Sequence, residues 1–217
     1  MGRLMNRRLV ATFVCFSFPL NFLTLQARPQ VQSVQQGQSA EIATVQDSDE
    51  YAIWSILLVR RYTYPNHRTF VIRDRTATDT HPRDLLPYAY LAEETFSDFQ
   101  AKNKEQYRLE NKLSVTPPCV FISKEKEDIL FPSAHITAMD SDSIEQMQIS
   151  WNQFYQEYPG MHGIMTFSRV GFNSDKSQAV VYVRYDGGIM THRGEYFVFA
   201  HKSGSWEIQT LKLIWIS

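Results

Sequence analysis

The chain is poor in cysteine. Cys15 and Cys119 are its only two in 217 residues, too few for a disulfide scaffold, so stability has to come from packing. It also lacks an excess of basic residues. Lys plus Arg is 22 against 23 Asp plus Glu, a formal net charge of -1, which excludes a nucleic-acid binder driven by a basic surface. His67, His81, His135, His162, His192 and His201 form no H-x-x-x-H or H-E-x-x-H pair, so no zinc-protease helix is encoded. No serine stands in G-x-S-x-G and no glycine-rich phosphate loop follows a strand pattern. The hydrolase nucleophile elbow and the P-loop are thereby excluded. No motif calls for a cofactor or a metal, and there is no internal repeat.

One long apolar run is present, and it stands at the start. Arg3, Arg7 and Arg8 precede residues 9–27, which carry no charge and are rich in Phe, Leu and Val; Ala27 follows Leu25 and Gln26. This basic, apolar, small-residue order is that of a secretory signal peptide over residues 1–27. Pro19 and Asn21 weaken the run as a stable membrane span. The expected localisation is export, to a periplasm or the extracellular space, with membrane contact only through this segment if it is retained. Cleavage after Ala27 removes three arginines and no acid, leaving 19 Lys plus Arg against 23 Asp plus Glu, a net of -4.

Residues 28–47 are polar and glutamine-rich without helical or strand period, and read as a flexible linker. A single domain is expected over 48–217. Asp47, Ser48 and Asp49 supply capping oxygens and a negative first turn. Tyr51, Trp54, Leu58 and Tyr62 recur at helical spacing, with Ile53, Ile56 and Leu57 widening the buried face, until Pro65 and Asn66. Thr69–Arg73 reads as a strand, 76–87 as loop, and 88–111 as a helix broken near a capping Thr95, with Phe96, Phe99 and Tyr107 facing inward. Residues 119–122 suggest a short strand and SKEKED a short helix. Ser143 opens the clearest helix, with Ile144, Met147, Trp151, Phe154, Tyr155 and Tyr158 on one side and Pro159-Gly160 at its end.

From there the period changes to two. Segments 163–172, 178–185, 195–202 and 205–216 read as strands separated by short turns. The predicted class is α+β, with several helices packed on a C-terminal four-stranded antiparallel meander. In this picture the helix from Ser143 lies across the meander.

Two stretches carry a resemblance. Trp151, Phe154, Tyr155, Tyr158, Pro159 and Gly160 spell W-x-x-F-Y-x-x-Y-P-G, and residues 168–173 spell S-R-V-G-F-N. Together with Gly194-Glu195-Tyr196 and Gly204-Ser205-Trp206 they resemble an uncharacterised family of exported bacterial proteins. The resemblance spans about Glu50 to Ser217, less closely in the middle. It implies export and an α+β fold and carries no activity. The order of elements is also similar to the cystatin-like folds, which wrap a curved sheet around a long helix.

Candidate chemistry is sparse. Arg169 lies in an apolar strand pattern and needs a carboxylate partner; Asp74 and Glu195 are the candidates. Asp74, Arg169 and Glu195 are therefore the candidate binding residues, either as an anion clamp or as an internal ion pair. Asn173 is expected in a left-handed turn. Asp140, Asp142 and Glu145 lack the glycine and the late glutamate of a calcium loop and read as an acidic helix start. Cys119 reads as an inert strand thiol. The aromatics Trp151, Phe154, Tyr155, Tyr158, Tyr182, Tyr185, Tyr196, Phe197 and Phe199 form either a helix-on-sheet core or a pocket lining. These features predict a non-enzymatic exported domain that binds a small molecule, glycan or protein. The alternative is an exported hydrolase or isomerase built on a polar cluster in a cone-shaped pocket.

Overall fold

The computed structural model describes residues 42–63, 69–82, 90–132 and 140–217, all within one compact unit, Ala40–Ser217. The expected signal peptide and most of the expected linker lie outside the described residues. The linker reading stops short of 47, however. Val45 is buried, its N–H donates to the Arg108 carbonyl at 2.9 Å, and the Arg108 N–H donates to Ala43 at 2.8 Å.

The class is α+β, with four α-helices and seven strands among the described residues. Helix α1 (Ser48–Leu57) is capped by Asp47, which accepts from the Asp49 N–H. It runs into a π-helical turn, Leu58–Thr63. Strand β1 is Thr69–Arg73. Helix α2 (Glu93–Lys102) is much shorter than the sequence pattern over 88–111 suggests. Thr95 does not cap it: Ala92 holds the N-cap position and Thr95 is buried within the first turn. Residues 107–109 run extended instead, tied to Thr76, Asp74 and Ala43, with Leu109 buried in the core and Tyr107 packed against it, so tertiary contacts override helical propensity.

Strand β2 (Val120–Ile122) is followed by α3 (Lys124–Leu130), capped by Ser123. Helix α4 (Ser141–Glu157) is capped by Asp140, which accepts from the Ser143 N–H at 2.8 Å. The remaining strands are β3 (Met161–Phe167), β4 (Gly171–Phe172), β5 (Gln178–Asp186), β6 (His192–Lys202) and β7 (Ser205–Ile216). The turn between β6 and β7 places Ser203 and Gly204 at φ 49° and 79°, the left-handed pair that a tight hairpin requires. In the β4–β5 turn Lys176, not Asn173, is left-handed, at φ 52°; Asn173 instead accepts from the Gln178 N–H.

The sheet differs in detail from a four-stranded meander. Its order is β2-β1-β3-β5-β6-β7, with β4 paired to β5. In the run β3-β5-β6-β7 each strand is antiparallel to its neighbour, while β1 is parallel to both β2 and β3. The expected first strand, 163–172, is split in two at Ser168–Val170.

Both faces of the sheet are covered. Phe70, Ile72, Met165, Phe167, Val181, Val183, Phe197 and Phe199 pack with Trp54 and Leu57 of α1. Their strand neighbours point the other way, as alternation demands. Val180, Tyr182, Tyr196 and Val198 meet Phe96 and Phe99 of α2. Val71 and Ile164 meet Ile122, Leu130, Trp151 and Phe154, beneath α3 and α4. Helix α4 thus covers the parallel end of the sheet and not the meander. A chain that crosses over β1 between β2 and β3 leaves its helices above those strands. Trp151 and Phe154 are 6% and 0% exposed, so the α4–sheet interface is filled.

Candidate functional site

The three residues singled out in the sequence are not brought together. Arg169 pairs with Glu50 rather than with Asp74 or Glu195. Its Nε and Nη2 donate to the Glu50 carboxylate at 2.6–3.0 Å, and its guanidinium lies 4.3 Å from the centre of the Tyr107 ring. Glu50 is fully buried and also accepts from the Val170 N–H at 2.8 Å. The pair therefore locks α1 to the segment between β3 and β4, which is the internal ion pair and not the anion clamp. Asp74 contacts Arg75 at 3.3 Å. Glu195 is buried, accepts from the Tyr62 hydroxyl at 2.6 Å, and meets Arg61 and Arg193. Burial, and then the Glu195 charge beside it, push the Tyr62 hydroxyl well above its ordinary value.

A larger charged cluster escapes the sequence reading. On the α2/α4 face of the sheet, between the two apolar patches, Asp186 accepts from Arg184 Nε at 3.0 Å and His192 Nδ1 at 2.8 Å through one oxygen. Its other oxygen accepts from Arg73 at 2.8 Å. Arg73 also donates to Thr166 and to Glu127, and Glu127 in turn holds Arg75. The second ring nitrogen of His192 faces the Ile189 carbonyl at 3.2 Å. Burial alone would raise the Asp186 carboxyl; the His192 hydrogen bond and the Arg73 and Arg184 charges outweigh it and hold it below the usual carboxylate range. Every strong contact of this network is internal, so its chemistry is that of a tie between strands.

The aromatics of α4 and the sheet are core. Tyr182, Tyr196, Phe197 and Phe199 are buried, and Trp151, Phe154, Tyr155 and Tyr158 meet in edge-on and tilted pairs with ring centres 5.1–5.8 Å apart. Burial pushes the Cys119 thiol up to about 11, as an inert strand-end cysteine requires. Among the described residues no group of three or more His, Cys, Asp or Glu is placed to hold a metal ion, and no helix is long and apolar enough to cross a membrane.

The open site lies elsewhere, along the outer side of α1. A groove of about 640 Å³ runs there. Ser48, Ala52, Ile56 and Val59 share one helical stripe and form its floor. Its second wall is the 112–114 segment, strapped to the helix by two hydrogen bonds. The Glu110 N–H donates to the Tyr51 hydroxyl and the Ser114 N–H donates to the Ser55 hydroxyl, both at 2.9 Å. Ser55 in turn donates to the Tyr51 carbonyl at 2.7 Å. The ammonium of Lys112 sits 5.7 Å from the centre of the Tyr51 ring and pairs with Glu110 at 2.5 Å. The π-helical turn carries Val59 and Arg60 at the far end of the groove; such turns recur at functional sites. Ile56, expected to widen the buried face, is half-buried and packs against the core, and its remaining surface lines the groove. A second hollow of about 440 Å³ by α2 is bounded by polar side chains such as Thr78, Gln100 and Lys104.

No family model matches the chain, and no curated protein and no solved structure matches it significantly.

Proposed function

We propose that this protein is an exported, non-enzymatic binding domain whose ligand is a small molecule seated in the α1 groove. The observation that carries the reading is the groove itself. Its volume of about 640 Å³ falls in the range of ligand pockets, roughly 300–1,000 Å³, and an apolar floor with a few polar groups is their usual lining. The charged clusters, by contrast, are spent on one another. Export is supported by the arginines ahead of an uncharged run ending in Ala27, and by the likeness of the W-x-x-F-Y-x-x-Y-P-G and S-R-V-G-F-N stretches to an exported bacterial family, of which this chain would be a member. Its partner is then a ligand, or a protein presenting one, and not a nucleic acid. The hydrolase or isomerase alternative loses its support, because Asp74, Arg169 and Glu195 find separate partners. The finer cystatin-like architecture is favoured by the antiparallel run β3-β5-β6-β7 and disfavoured by the seat of α4 on β1, β2 and β3.

The test is a ligand screen on the purified chain by thermal shift, repeated on Ala52→Trp. Ala52 is exposed and lines the groove, so the indole fills the groove without entering the core. Hits that vanish in the variant support the reading. An empty screen, or hits the variant leaves untouched, would overturn it.

A further inference from the structure

The lining of the α1 groove is one-sided in charge. Arg60 and Lys112 are its charged residues, and among the described residues none that lines it is acidic. The two cations differ in availability. Lys112 is held by Glu110 at 2.5 Å. Arg60 is exposed, and among the described residues no carboxylate pairs with it. A guanidinium without a carboxylate, at the end of an apolar track, is a receptor for a planar two-oxygen anion, which it binds through two parallel N–H donors. The track leads away from it through Val59, Ile56 and Ala52. At 1.5 Å of rise per residue, the eight steps from Arg60 back to Ala52 span about 12 Å. Val59 is 44% exposed and Ile56 is half-buried, so apolar surface in this track still faces water and its covering is favourable. Ser48 and Gln46 close the far end with neutral polar groups, which suit a chain terminus and not a second charge.

We propose that the groove takes a single-chain anionic amphiphile of the fatty-carboxylate type, its carboxylate on Arg60 and its chain laid along Val59, Ile56 and Ala52. This rests on the groove being the ligand site. The strap that forms the second wall contributes no carboxylate to the lining, and Glu110, which is not part of that lining, is paired with Lys112.

Isothermal titration of the full chain with decanoate, decyltrimethylammonium and decyl maltoside, each kept below its micelle concentration, separates this idea from the reading beneath it. The three share a chain and differ in head charge. Decanoate is expected to bind at least about tenfold more tightly than the other two, a difference of about 1.4 kcal/mol. Arg60→Gln is expected to remove most of that preference, and Arg60→Glu to reverse it in favour of the cation. Ala52→Trp should abolish binding of all three. Equal binding of the maltoside or the cation, or decanoate binding that ignores Arg60→Gln, overturns the anionic ligand while leaving the groove as a site. No binding by any of the three overturns the amphiphile proposal and leaves the groove to the ligand screen, whereas binding that survives Ala52→Trp overturns the groove as its site. Arg60 is an exposed position, so its variants are expected to fold, and unchanged melting temperatures verify this.

Discussion

Arg73 at the end of β1 donates to Asp186 at the end of β5 at 2.8 Å, reaching past β3, where it also meets Thr166. The contact ties the parallel end of the sheet to the antiparallel end, and both side chains are largely closed to water. Asp186 is the common acceptor for Arg73, Arg184 and His192. Its removal takes away the acceptor the three donors share, although Arg73 keeps Glu127 and Arg184 keeps Asp79, and breaking such a buried pair costs more than the pair contributes.

Asp186→Asn is therefore expected to lower the unfolding free energy at pH 7 by about 3–5 kcal/mol. Urea denaturation measures it; a loss below 1 kcal/mol would show that the cluster is not a tie.

The same groups set the acid limit of stability. Asp186 is held below its ordinary 3.8 by the His192 hydrogen bond, Arg73 and Arg184, against burial. Glu127 is held below its ordinary 4.5 by Arg73 and Arg75, again against burial. Carboxyls lowered in the folded state stabilise it fully above their unfolded values, and that stabilisation fades as pH falls through the unfolded and then the folded values. Stability should accordingly be flat from pH 7 to about 5 and drop steeply below pH 4.5, with a shallower drop in Asp186→Asn. Equal acid slopes in the two proteins would contradict this.

Phe154 and Ile149 lie on one helix and predict opposite outcomes. Phe154 is fully buried against Trp151 and Tyr158, so Phe154→Ala should cost about 3–5 kcal/mol. Ile149 is exposed, so Ile149→Ser should stay within about 0.5 kcal/mol. Thermal unfolding of the two variants is the check, and similar losses would mean that α4 is turned differently on β1–β3.

Two glycines are needed for different reasons. A Cβ at Gly171 would lie 2.6 Å from the Cα and nitrogen of Phe99, so Gly171→Ala must push α2 away from β4, at about 1–3 kcal/mol. At Gly204 there is open space, but φ is +79°, and Gly204→Ala should cost about 1–2 kcal/mol through backbone strain alone. Phe99→Ala keeps the backbone and Cβ atoms that the new methyl meets, so it should not rescue Gly171→Ala, which a double-mutant cycle reads directly.

Cys119, raised from 9.0 to about 11 by burial, should hold about a hundredfold less thiolate near pH 8 than an ordinary thiol. In a Cys15→Ser background the folded protein should alkylate with iodoacetamide slowly, and the denatured protein rapidly. Equal rates would place Cys119 in water.

Much of the secondary structure is legible in the sequence, because amphipathic period is local. The stripe through Tyr51, Trp54 and Leu58, the strand Thr69–Arg73, the Ser123 cap of α3 and the hairpin at Ser203-Gly204 all announce themselves within a few residues. Residues 103–111 mislead, since helical composition there yields to pairing with Thr76 and Ala43, partners far off in the chain. Glu50 left a readable trace that a search for partners of Arg169 could have used. It falls on the same helical face as Ile53, Trp54 and Leu57, and a carboxylate on an apolar face demands a buried cation.

By itself the sequence determined an α+β chain with its amphipathic helices and strands in order, a sparse and balanced charge set, and one long uncharged run over residues 9–27, since each depends on composition or on spacing of a few residues. Only the tertiary structure decided that β1 and β2 join the sheet in parallel, that α4 seats on β1, β2 and β3, that Arg169 takes Glu50 as its partner, and that Val59 and Arg60 are turned out along a groove. These outcomes depend on contacts between segments 50 to 120 residues apart, where many pairings satisfy the local pattern and close packing of side chains selects among them.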